Sequence, residues 1–135
     1  MASDSKRVQW DTFGDMASFS PIAGISMQSL TGEKLMLNLV TIEPGAVVPE
    51  HSHTNEQAGY VVRGELILTI AGETRTLTPG DCYVAPANVP HGATSGADGC
   101  DVLDVFTPPR QDYADAAANA KLEADGWETV TYLQG

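Results

Sequence analysis

The sequence predicts an all-β protein: a single domain of short strands closed into a barrel or sandwich, with a short helix near the C-terminus. Three observations lead there. The 135 residues are enough for one core. Thirteen Gly and eight Pro place turns at a density that suits short strands rather than long helices. Candidate strands follow one another at about 8–12-residue spacing, the pattern of sandwiches and barrels.

Taken in order, residues 1–20 are mixed in character and are expected to form an arm. The barrel is expected over residues 21–110 and a C-terminal extension over residues 111–135. Ile22–Leu30 and Lys34–Glu43 read as strands joined by the turn Leu30-Thr31-Gly32-Glu33. Glu43-Pro44-Gly45 is a second turn. Val47–His53, Gln57–Arg63 and Glu65–Ile70 read as further strands, with Gly64 separating the last two. Ala71-Gly72-Glu73 closes a hairpin into Thr74–Leu77, and Thr78-Pro79-Gly80-Asp81 turns into Cys82–Ala85. Pro86–Pro90 is a bend, and His91–Ser95 and Asp101–Thr107 complete the series. Ala114–Ala124 is Ala-rich and predicts the helix; Trp127–Leu133 reads as a terminal strand.

Seven basic and 18 acidic side chains give a net charge of −11. Such a surface repels phosphate backbones and anionic bilayers, so neither nucleic acid nor membrane is expected as a partner. A small anionic substrate would need a local positive centre, either a metal ion or a positioned Arg. No apolar run approaches the roughly 18 residues that span a bilayer, and the opening MASDSKRVQW lacks the apolar stretch of a secretory signal. A soluble, cytoplasmic protein is therefore expected. Cys82 and Cys100 form no CxxC pair and are expected to be buried, reduced thiols.

All three histidines fall in two short segments, Gly45 to Gly64 and Gly80 to His91. On a strand, residues i and i+2 share a face, so His51 and His53 should project side by side. A turn through Thr54-Asn55 can return Gln57 toward them, and His91, from another strand, can close the set. Imidazoles with an amide oxygen suit one divalent transition ion: Zn, Ni, Fe, Mn or Co. Glu56 is an alternative ligand, although strand parity places it opposite Gln57. A three-His site completed by water is another.

These segments resemble the two motifs of the cupins. The first, G-x5-H-x-H-x3,4-E-x6-G, is matched by Gly45, His51, His53 and Gly64, with Gln57 at the position of the usual Glu. The second, G-x5-P-x-G-x2-H-x3-N, is matched by Gly80, Pro86 and His91. Asn88 stands in place of the Gly, and Ser95 in place of the final Asn. Asn tolerates the left-handed backbone angles that Gly would serve. The resemblance implies a single-domain cupin β-barrel of the jelly-roll type, a double-stranded β-helix. It also implies a metal on His51, His53, Gln57 and His91. A neutral Gln leaves more of the ion's charge in the pocket than a Glu would, and so gives a stronger Lewis acid.

The second constellation is the run from Asp101 to Tyr113. Alternation puts Val102, Asp104 and Phe106 on one face, and an inward carboxylate beside apolar neighbours needs a nearby cation or other compensation. Pro108-Pro109 stops the strand ahead of Arg110. Taken singly, Asp104 and Arg110 also read as surface charges and Phe106 as ordinary packing. The stretch Asp-Val-Phe-Thr-Pro-Pro-Arg with a first-motif Gln resembles the cupins of pectin and alginate degradation that ketonise 4,5-unsaturated uronates. That likeness implies pocket roles for Asp104, Phe106 and Arg110, with Asp104 shuttling a proton and Arg110 pairing with the substrate carboxylate. The rival expectations are another metal-dependent lyase or isomerase, an oxygenase, and a non-catalytic ligand-binding module. Tyr60 and Tyr83 are expected to be structural, and Arg63 to lie far from the metal. Trp10 and Trp127 are expected against a partner subunit or the barrel exterior. Similar cupins are often homodimers, which is the expected assembly.

Overall fold

The structure, a computed structural model, describes residues 7–126 of the chain. It holds eight strands: β1 (Phe19–Ile22), β2 (Ile25–Thr31), β3 (Met36–Ile42), β4 (Val47–His51), β5 (Glu56–Ile70), β6 (Glu73–Leu77), β7 (Cys82–Ala85) and β8 (His91–Thr107). A 3-10 turn at Phe13–Asp15 precedes them, and helix α1 (Gln111–Ala124) follows. The expected strand at Trp127–Leu133, and Trp127 itself, lie outside the described residues. Among those described, no helix is long and apolar enough to cross a membrane.

Hydrogen-bonded neighbours run β1-β2-β3-β8-β5-β6, with β4 also on β8 and β7 also on β5. The two long strands organise the barrel. The half of β8 from His91 to Ser95 pairs with β4 and with the distal end of β5. Its other half, Cys100 to Phe106, pairs with β3, and with the first half of β5.

The sequence suggested four shorter strands where β5 and β8 stand. Gly64 and Gly99 bend these strands without breaking them. Both have positive φ, +76° and +72°, which L-residues other than Gly rarely adopt. The register slips between Gly64 and Leu66, the signature of a bulge that turns a sheet corner. The fit is close: a Cβ on Gly64 would lie 2.0 Å from the Gly99 carbonyl oxygen. Gly64→Ala is therefore expected to cost at least about 2 kcal/mol, seen as a drop of several degrees in Tm. An unchanged melting curve would contradict this account of the corner.

The core follows from strand alternation. Ile25 and Met27 of β2, Val40 and Ile42 of β3, Val61, Leu66 and Leu68 of β5, and Cys100 and Val102 of β8 form one buried cluster. Each fully buried aliphatic side chain of this kind contributes about 1.5–3 kcal/mol. The opposite parity faces outward, where Tyr60, Val62 and Val84 are exposed. Cys82 shares that outward face, so only Cys100 fits the expected pair of buried thiols; both cysteines are free. Trp10 is 90% exposed and does not pack on its own barrel. Arg63 pairs with Asp101 at the surface, 3.0 Å away.

Candidate metal centre

His51, His53 and His91 come together at one end of the barrel, their ligand atoms all within 4.8 Å of one another. Two elements bring them there. His51 and His91 are direct cross-strand partners on β4 and β8, with ring centroids 4.4 Å apart. His53 arrives differently from the strand-parity expectation. β4 ends at His51, and His53 sits in the loop beyond it, 5.5 Å from His51 and 4.9 Å from His91 by ring centroid. Asn88, with φ +65°, takes the left-handed conformation that allowed it to replace Gly, and its N–H donates to the His53 carbonyl.

Each imidazole is fixed through Nδ1. The partners are the carbonyls of Pro49 for His51 (2.8 Å), Asn55 for His53 (3.0 Å) and Val89 for His91 (2.9 Å). A carbonyl only accepts, so Nδ1 carries the proton and Nε2 keeps its lone pair. Such outer contacts orient metal-binding histidines and set their tautomer. Burial is the main cause that lowers the pKa of both His53 and His91, and the charge of Arg110 adds to it. Both rings therefore stay neutral, the form that binds metal.

Two observations show that the donor set fits a cation. His91 is buried, and its Nε2 is the buried side-chain nitrogen or oxygen without a hydrogen-bond partner among the described residues. Leaving such an atom unsatisfied costs about 1–3 kcal/mol, which a bound cation would offset. Gln57 Oε1 lies 3.0 Å from His53 Nε2, yet both atoms carry lone pairs and neither has a proton to share. An ion between the two donors resolves that conflict. Gln57 is 7% exposed, whereas Glu56 points to solvent, so the parity argument against Glu56 agrees with the structure.

The amide is held from behind. Gln57 Nε2 donates to the Tyr83 hydroxyl at 2.7 Å, and that hydroxyl donates to Asp104 Oδ1 at 2.8 Å. Asp104 is buried beside Phe106 and Val102, on the face that alternation assigned it. Burial pushes its carboxyl up to about 7, against the lowering effect of the Tyr83 and Gln57 hydrogen bonds. Burial, followed by the Asp104 charge, raises the Tyr83 phenol well above the ordinary tyrosine range, so it stays protonated. Tyr83, expected to be structural, faces a cavity and touches both Gln57 and Asp104. The available signal was Gly59, an isolated Gly inside a strand, which marks a close approach.

A small cavity of about 60 Å³ lies among these groups. His51, Gln57, His91, Tyr83 and Asp104 line its polar end, and Met27, Val40, Leu66 and Val102 are among the residues of its apolar floor. Phe106 and Tyr113 complete the wall, with rings 5.8 Å apart. Tyr113, at the start of α1, has no sequence signal that assigns it to the cavity, because it lies beyond the strands whose parity can be read. Arg110 stands behind that wall. Its guanidinium lies 4.0 Å from the Tyr113 ring centroid and 5.7 Å from that of Phe106, and it pairs with Asp112 at 2.8 Å. The structure thus brings Asp104 and Phe106 into the cavity and leaves Arg110 outside its lining.

The family model described as Cupin domain matches residues 38–106. The chain is 34% identical over 106 residues to the pectin degradation protein KdgF of Dickeya dadantii, covering 77% of this chain and 89% of that one. It is 33% identical over 94 residues to the H2HPP isomerase of Bacillus subtilis, covering 69% of this chain and 35% of that one. Among solved structures, KdgF from Halomonas sp. superposes with a TM-score of 0.75 at 32% identity, covering 79% of this chain and 99% of that one.

Proposed function

The chain belongs to the cupin family, and on that premise we propose that it is a metal-dependent isomerase that opens and ketonises 4,5-unsaturated uronates. One observation carries the reading: a buried carboxyl, Asp104, shares one cavity with His51, His91 and Gln57, and His53 completes the imidazole cluster beside it. The likeness to KdgF, a pectin degradation protein, supports the substrate class.

His51, His53, His91 and Gln57 would hold the ion, which when bound supplies Lewis-acid polarisation of substrate oxygens. The reaction is a net isomerisation and needs no oxidant. The anomeric hydroxyl loses its proton as the bond from C1 to the ring oxygen breaks, which leaves an aldehyde and an enol. The enol then loses its hydroxyl proton while C4 gains one. Asp104 would carry these protons. Its Oδ1 is held by Tyr83, which leaves Oδ2 for substrate, and a carboxyl near neutrality both takes and returns a proton readily. Phe106 and Tyr113 exclude water from one side. Arg110, stacked on Tyr113, attracts the substrate carboxylate against the repulsion of a chain carrying −11.

The test is incubation with unsaturated uronates released by a pectate lyase. The absorbance of the conjugated double bond should fall faster than in buffer, with no oxygen consumed. Decay at the buffer rate would sink the proposal. Arg110→Ala is expected to lower kcat/KM about 10- to 100-fold, the range of a lost charge-assisted hydrogen bond, mainly through KM. Loss confined to kcat in steady-state kinetics would contradict a binding role. A second reading, isomerisation of another small carboxylate, is favoured by the likeness to the H2HPP isomerase and by the apolar cavity floor. Turnover across a panel of unsaturated acids separates the two.

A further inference from the structure

We propose that Tyr83 is a positioning residue of the metal centre, and that Gly59 is the slot that lets it act. The Tyr83 hydroxyl turns the Gln57 carboxamide so that Oε1, not Nε2, faces the histidines. The inference rests on the reading of Gln57 as a ligand.

Register sets the arrangement. Gly59 of β5 is the cross-strand partner of Tyr83 on β7 and also of Asp104 on β8. The three stand in one row across three strands, with a residue lacking a side chain in the middle. A Cβ on Gly59 would fall 2.1 Å from Cε1 and 2.5 Å from Cζ of the Tyr83 ring, and 2.7 Å from Asp104 Oδ1. Gly59 is not among the residues of positive φ, so space rather than backbone angle requires glycine here. The phenol lies across that space, and its hydroxyl reaches both Asp104 and Gln57.

Donor and acceptor logic then fixes the amide. The Tyr83 hydroxyl donates to Asp104 Oδ1, so its one proton is spent there. What the phenol offers Gln57 is a lone pair, and only the NH2 end of the carboxamide can use it. Oε1 is thereby directed at His53 Nε2, 3.0 Å away. An amide in the opposite orientation would present N–H groups to a cation and bind nothing. A family-typical Glu needs no such device, because its two oxygens are equivalent. Tyr83 thus answers a need that the Gln itself creates.

The experiment is a double-mutant cycle read by Co(II) affinity, measured by chelator competition, and by the visible Co(II) spectrum. Gln57→Ala tests the ligand reading alone: if it leaves affinity unchanged, that reading fails whatever Tyr83 does. Given a loss there, Tyr83→Phe is expected to weaken Co(II) binding about tenfold, the lower end for residues that orient a ligand, and to shift the Co(II) bands. In a Gln57→Glu background the same Tyr83→Phe change should alter affinity by less than about threefold, since no orientation remains to be lost. An equal loss in both backgrounds, or none in the first, would overturn the proposal. Phe retains the ring in its slot, so the barrel should stay folded. In the wild-type chain, the Gln57 Nε2 protons should show NMR contacts to the Tyr83 ring. Contacts to the His53 ring instead would also overturn it.

Discussion

Asp104→Asn should leave the barrel folded while lowering uronate turnover about 10²- to 10⁴-fold, the range of a lost general acid–base group. The side chain is nearly isosteric, and its amide oxygen can still accept from Tyr83, so packing and the hydrogen-bonded row survive. The change removes an ionisable group that the structure buries at some cost. Burial has driven its carboxyl to about 7, so stability is expected to hold or rise slightly. The pairing of preserved Tm with lost kcat is the informative result. A variant that turned over as fast as the parent would remove Asp104 from the reaction. A variant that unfolded would make it a structural group instead.

His91→Ala should weaken metal binding by well over the about 10–100-fold seen for supporting residues, with turnover falling to the uncatalysed background. His91 is the most enclosed of the three imidazoles, and its Nε2 is the atom left without a partner. The effect is visible without any substrate. Metal present at about 100 times its Kd should stabilise the wild-type chain by about 2.7 kcal/mol, or roughly 10 °C in Tm for a domain of this size. The variant should show no such gain at the same concentration. An equal thermal shift in both proteins would mean that the ion binds elsewhere.

Much of this site is legible in the sequence, because local spacing and parity generate it. Alternation along β8 places Asp104 and Phe106 inward without knowledge of the fold. Spacing around Gly45, Gly64, Gly80 and Pro86 draws three histidines and a glutamine to one place. What parity misses is set by register between distant segments. His53 reaches the centre from a loop rather than from the strand of His51. Tyr83 meets Asp104 only because Gly59 lies between them, a row that exists once β5, β7 and β8 are paired. The long strands were hidden for a related reason. Glycine in a sequence signals a break, whereas at Gly64 and Gly99 the chain uses positive φ to turn a corner and continue pairing. Arg110 reads as a pocket residue by likeness, yet it stacks on Tyr113 and stays outside the cavity lining.

The most direct measurement is X-ray absorption at the metal edge, on protein stripped with chelator and reloaded with one equivalent of Zn(II). Scattering from three imidazoles together with an oxygen donor is the predicted result, with the imidazole number falling to two in His91→Ala. A spectrum showing one imidazole or none around the ion in the wild-type chain would contradict the metal centre and the function built on it.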